Sequence, residues 1–219
     1  MNRIFRRAVI AAGSLGVAGG IALAPLPASA APMPVIAAWG AHATGAITIP
    51  QVALATPGHT PVVASNANYS PYLATGRIVD RATPDTALSR VESPLVTVSP
   101  YGTMSASQVT SWCNISPPRM SDAISAVGGA SVFSGAISTS GGYFLTVGMN
   151  PTPVTSYNPP QNPAPNTRVF LWSPNLRVVA TITFNKQTIS KGGITVSAIY
   201  VSSRSQTLGL GTSSCAPKK

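Results

Sequence analysis

The chain has 219 residues, with 14 Lys or Arg against 4 Asp or Glu, a net charge of +10. Only 8% of the positions are charged, against roughly 25% in an ordinary soluble domain. Four carboxylates, two histidines and two cysteines leave few groups for acid–base, metal or redox chemistry, and 19 Gly with 21 Pro point to many turns rather than to long helices.

The first thirty residues read as an export signal. Arg3, Arg6 and Arg7 precede an uncharged apolar run over 8–24, Pro25 and Pro27 break it, and Ala28-Ser29-Ala30 supplies small residues for cleavage between Ala30 and Ala31. The alternative is an uncleaved leader acting as a membrane tether, at the short edge of spanning length. Removing residues 1–30 leaves one exported domain, 31–219, with a net charge of +7. No second apolar run of spanning length follows, so no stable membrane span is expected after cleavage.

Residues 39–49 alternate as a half-buried strand, with Trp39, Ala41, Ala43, Ile47 and Ile49 on one face and His42, Thr44 and Thr48 on the other. Short β-type runs follow at 52–56, 61–64 and 95–99. Segment 66–93 holds Asp80, Asp85 and Glu92 among Arg77, Arg81 and Arg90, and is expected to be solvated and loop-rich. Residues 121–127, followed by Gly128-Gly129, suit one short capped helix. Residues 130–139 and 143–147 read as a hairpin turning at Gly141-Gly142. Segment 150–166 contains six prolines and is expected to be an extended surface loop. The last fifty residues are the most regular, with strands expected over 167–173, 176–184, 193–203 and 206–211. Within them Ile194, Val196 and Ala198 share one face and Ile199 and Val201 the other. Serial short strands with Gly, Pro and Asn turns predict an all-β fold, a sandwich of antiparallel strands.

Cys113 and Cys215 both lie in the exported part, where an even count suggests a disulfide. Two buried, unpaired thiols are the alternative.

Two stretches carry a family resemblance. Residues 38–50 (Ala-Trp-Gly-Ala-His-Ala-Thr-Gly-Ala-Ile-Thr-Ile-Pro) resemble the opening strand of the exported choice-of-anchor P surface proteins of actinobacteria. Phe184-Asn185-Lys186-Gln187, the run 193–201 and residues 208–215 resemble the closing strands of the same family, where an Asn-x-Gln turn precedes the penultimate strand. The resemblance implies export and a β-domain. It carries no catalytic residue, and the chain shows no sorting motif or spanning helix at Lys219 that would imply a surface anchor.

Catalysis is not expected. A Ser–His–carboxylate site would need His42 or His59 beside Asp80, Asp85, Glu92 or Asp122, and no Gly-x-Ser-x-Gly elbow is present. No metal or other cofactor is expected. The positive charge favours anionic cell-envelope polymers as partners; nucleic acid is not expected, because the basic residues are scattered rather than striped. Arg168 and Trp172 on one strand face, with Lys186 and Lys191 in the adjoining turn, form the expected basic-aromatic binding patch. The expected protein is thus a secreted structural, adhesive or envelope-binding β-domain. Its rivals are a secreted hydrolase using one of the four acids and the membrane-tethered form.

Overall fold

The computed structural model describes residues 36–98, 102–116, 125–148, 150–190 and 193–216. The cleavage site Ala30/Ala31, Asp122 and Lys191 lie outside these residues. Among the described residues nineteen strands follow in chain order: β1 (Ile36–Gly45), β2 (Ile49–Val52), β3 (Val62–Ala64), β4 (Ala67–Tyr69), β5 (Leu73–Thr75), β6 (Ile78–Ala82), β7 (Thr86–Glu92), β8 (Leu95–Val98), β9 (Gly102–Ser105) and β10 (Gln108–Ser116). Then come β11 (Ser125–Phe133), β12 (Ala136–Thr139), β13 (Phe144–Val147), β14 (Asn150–Val154), β15 (Ser156–Tyr157), β16 (Thr167–Trp172), β17 (Val178–Ser190), β18 (Gly193–Ser203) and β19 (Gln206–Cys215). The fold is all-β and antiparallel, a sandwich.

One layer is an eight-stranded sheet ordered β14-β13-β16-β17-β18-β19-β1-β2. Its longest strands, β17 and β18, are rich in Val, Ile, Thr and aromatic residues, which fill a pleated surface well. The other layer is divided into a five-stranded sheet, β11-β10-β7-β6-β3, and a six-stranded sheet, β15-β12-β9-β8-β5-β4. Apart from the edge strand β15, those two orders match position by position. Each long strand of this layer is interrupted once: β3/β4 at Ser65-Asn66, β5/β6 at Gly76-Arg77, β7/β8 at Ser93-Pro94, β9/β10 at Ala106-Ser107, and β11/β12 at Ser134-Gly135. Hydrogen bonds continue across the break, with Gly76 N–H donating to Glu92 O at 2.7 Å and Ser93 N–H donating to Ser107 O at 2.8 Å. Ser93 and Ser134 take positive φ there (45° and 47°), the left-handed conformation that swings a strand out of its plane.

The eight-stranded sheet is creased at the same level. In β17, β18, β19 and β1 the row Thr183–Tyr200–Gly209–His42 and the row Lys186–Ser197–Thr212–Trp39 both face outward, yet two residues separate them in every strand instead of one. The intervening residues Phe184-Asn185, Ala198-Ile199, Leu210-Gly211 and Gly40-Ala41 are all buried. Asn185 and Gly211 have φ of 48° and 53°, as a bulge demands. Because four adjacent strands bulge together, the register stays intact while the sheet bends.

The crease corrects several expectations. Trp39 and Ala41 lie on opposite faces, and Trp39 shares the outer face with His42. In β18, Ile199 and Val201 turn inward with Ile194 and Val196, so the strand is not apolar on both sides. Asn185 to Ser190 continues β17 rather than forming a turn, and the Asn-x-Gln element is the crease itself. Gln187 Nε2 donates to Asn185 Oδ1 at 3.1 Å and to Gly128 O at 3.0 Å.

Other differences have similar causes. Residues 125–127 begin strand β11, and the rest of the expected helix lies outside the described residues. Gly128 stands inside that strand because a Cβ there would come within 2.6 Å of Val196 Cγ2 and 2.7 Å of Trp112 O. The Gly141-Gly142 turn forms, with φ of 65° and 79°, but β12 and β13 belong to different sheets, so it passes the chain between layers rather than closing a hairpin. Segment 66–93 holds strands β4 to β7. The proline-rich stretch supplies two edge strands, β14 and β15, where missing N–H donors are tolerated. Beyond them it packs as a strap: Val132 N–H donates to Gln161 O at 2.8 Å, and Asn185 Nδ2 donates to Pro163 O at 2.9 Å.

The core lies between the layers. The five-stranded sheet covers one side of the crease, where Cys113 of β10 and Cys215 of β19 form a disulfide between the layers, Cα atoms 5.9 Å apart. The six-stranded sheet covers the other side, with the Tyr157 ring 6.4 Å from that of Phe184. Ile36 of β1 stands opposite Cys215 in the ladder to β19.

Candidate functional site

Alternation decides which side chains each central strand of the eight-stranded sheet turns away from the core, and the crease resets that alternation. The outer side chains are Arg168, Phe170 and Trp172 on β16; Thr181, Thr183, Lys186 and Thr188 on β17; Thr195, Ser197, Tyr200 and Ser202 on β18. On β19 they are Thr207, Thr212 and Ser214, and on β1 Trp39, His42 and Thr44. Three of the four residues of the expected patch, Arg168, Trp172 and Lys186, thus share this face. Arg168 is exposed, with Thr183 beside it on β17 and Tyr200 next in the same row.

Hydroxyls bond in pairs across the strands. Thr44 and Thr207 are 2.8 Å apart, Ser197 and Thr212 3.0 Å, and Thr195 and Ser214 3.1 Å. Each pair uses one hydroxyl proton and leaves another free to donate. The Trp172 ring lies parallel to that of Phe144, centroids 6.2 Å apart, and its Nε1–H donates to Thr146 Oγ1 at 2.9 Å. Lys186 Nζ sits 3.0 Å from the centroid of the Tyr200 ring, a cation–π contact. Among the described residues no Asp or Glu stands on this face, and the ion pair they do contain, Arg90–Glu92 at 3.1 Å, is on the other layer. A shallow cleft of about 150 Å³ opens here between Trp39, His42, Lys186, Ser197, Tyr200 and Thr212.

The carboxylates sit elsewhere and apart. Asp80 of β6 is fully buried between the layers. Neither of its oxygens completes a hydrogen bond. Burial raises its pKa to about 8, with the nearby Ser89 hydroxyl and Gly40 amide pulling the other way. Ser89 is already committed, its hydroxyl donating to Trp39 O at 3.1 Å. Next to it, Ser111 and Ser213 hydroxyls are 2.8 Å apart, so a polar seam runs through the core under the crease. Asp85 lies in the exposed turn between β6 and β7, and Glu92 pairs with Arg90. His59 is in an exposed turn. Among the described residues no group of three His, Cys, Asp or Glu side chains could hold a metal ion.

A larger cleft of about 260 Å³ lies at one end of the sandwich, lined chiefly by Tyr72, Val96, Val98, Val179, Val201 and Leu208. Among the described residues its lining carries no carboxylate, imidazole, thiol or amine, and Tyr72 is its one titratable side chain. Among the described residues no helix is long and apolar enough to cross a membrane.

The sequence grouped Arg168, Trp172 and Lys186, which share this face, but not the residues nearest Lys186. Tyr200, Ser197 and Thr212 come to it through strand pairing, and Trp39 through the crease; only Thr195 and Ser197, and Thr212 and Ser214, each pair two residues apart, hint at a polar face. No protein-family model matches the chain, and neither the curated proteins nor the solved structures contain a match to it.

Proposed function

We propose that the chain is an exported, non-catalytic β-domain that holds anionic cell-envelope polymers on the outer face of its eight-stranded sheet. The observation that carries this reading is the face itself, where Arg168 and Lys186 stand among hydroxyls and aromatic rings with no carboxylate beside them among the described residues. Export rests on the tripartite start of the sequence, and a disulfide between the layers suits an oxidising compartment. The positions of the acids support a binding rather than a hydrolytic role. Asp80 faces the core and Glu92 the opposite side of the same sheet, so these two do not flank a common cleft as glycoside hydrolysis requires.

Sedimentation with purified envelope material tests the reading. The protein should pellet with it at low salt and return to the supernatant as salt rises, because exposed charges are screened within about 10 Å at 0.1 M. Failure to pellet at low salt would sink the proposal.

A further inference from the structure

We infer that the cleft beside Lys186 grips one acidic repeat of a hydroxyl-rich polymer, a uronate or a phosphodiester-linked unit. This rests on the envelope-polymer reading and names its point of recognition. Gly209 is central to it. In the outward row Tyr200–Gly209–His42 the middle position has no side chain, so two ring-bearing residues flank a gap two strand spacings wide, about 9.5 Å. The gap is not forced by the backbone. A Cβ on Gly209 would meet Thr212 Oγ1 at 3.4 Å and Ser197 Oγ at 3.8 Å, ordinary contacts, and Gly209 is not among the positive-φ residues. Any side chain at this position would instead fill the cleft.

Charge and size specify the occupant. The Lys186 ammonium rests on the Tyr200 ring at the wall of the gap and has no carboxylate partner among the described residues. It is placed to give a charge-assisted hydrogen bond to an anionic group lying over Gly209. The Ser197 and Thr212 hydroxyls at the floor bond each other and keep donor and acceptor capacity for a hydroxyl-bearing ligand. At about 150 Å³ the cleft is below the ~300–1,000 Å³ of sites that engulf a free small molecule. It suits one repeat of a chain that continues across the sheet, where Arg168 stands in the same row beyond Thr183.

Binding of the full exported protein to polygalacturonate, to poly(glycerol phosphate) and to neutral dextran is the test, with the variants Lys186→Gln, Gly209→Val and, as control, Arg77→Gln on the other layer. Wild type should bind one or both acidic polymers and not dextran; the arm that binds names the anion. Lys186→Gln and Gly209→Val should each weaken binding tenfold or more, and Arg77→Gln less than twofold. Gly209→Val leaves the charge untouched, so its loss of binding reports the cleft and not general attraction, and Lys186→Gln covers the case in which the valine disturbs folding. Equal effects of Lys186→Gln and Arg77→Gln, or wild-type binding by a folded Gly209→Val protein, would overturn the cleft and leave the envelope reading standing. Equal binding of dextran would overturn the role of the anion. Binding neither to the acidic polymers nor to envelope material would remove both.

Discussion

Asp80 places a carboxyl where water does not reach, and its ionisation is therefore coupled to folding. Its pKa rises from 3.8 to about 8 in the folded chain, chiefly through burial. Below the lower value both states are protonated and the group contributes nothing to the pH dependence. Between the two values the unfolded chain ionises while the folded chain keeps its proton, so stability falls as pH rises, by up to about 1.4 kcal/mol per pH unit. Above about 8 the loss is complete. Asp80→Asn should abolish this slope and leave the variant more stable than wild type at alkaline pH; urea unfolding at about pH 5 and about pH 8 reads it directly. An unchanged slope in the variant would assign the pH dependence to another group. The sequence placed Asp80 in a solvated segment because five charged neighbours surround it between Arg77 and Glu92. Alternation in β6 sends it inward with Ile78 and Ala82 while Arg81 points out. Gly128 was similarly opaque: an adjacent glycine pair reads as a helix stop, whereas the need for it comes from Val196, on a strand far along the chain.

At the scale of the strand, the crease is the feature that local pattern could not reveal. A period of two was visible in 39–49 and in 193–203, but one extra residue in each strand reverses the faces on either side of it. The signal is spread over Gly40, Asn185, Ala198 and Gly211, and only strand pairing aligns them. Asn185 makes the crease testable. It takes the left-handed conformation, donates to Pro163 O and accepts from Gln187. Asn185→Ala should lose two side-chain hydrogen bonds and backbone ease, about 3–4 kcal/mol together, given ~1–2 for the left-handed conformation and ~1 for each hydrogen bond. Asn185→Gly should recover the backbone part, so the order of unfolding midpoints is expected to be wild type, then Gly, then Ala. A glycine variant no more stable than the alanine one would show that backbone conformation is not what the position demands.

For the whole molecule, the sandwich was legible because short apolar runs recur between Gly, Pro and Asn, a spacing that helices do not produce. The division of the second layer was not, since the positive-φ residues at two of the breaks are Ser93 and Ser134 rather than glycines, and the Gly at 76 and 135 reads equally well as an ordinary turn. Nor was the strap, since prolines at 150–166 also suit a solvated loop; here Pro159 and Pro163 are buried. The disulfide joins the layers and closes a sequence separation of 102. Reduction, or Cys113→Ser with Cys215→Ser, should lower unfolding stability by about 2–4 kcal/mol, read as a shift in urea midpoint. No shift would mean that packing alone holds β10 against β19.

The antiparallel pairing of β1 with β19 sets Ile36 against Cys215, so the two ends of the β-domain leave from one corner. Tension between those ends opens the ladder like a zipper, each backbone pair bearing the whole pull in turn, instead of shearing all pairs at once. The Cys113–Cys215 bond stands beside the first pair to open. As β1 peels, β19 stays covalently joined to β10, and the force passes through sulfur to the opposite layer. Only residues 113–215 are closed into a loop by that bond, so under such a pull the strands before β10 are the ones free to extend while the later strands stay tied together.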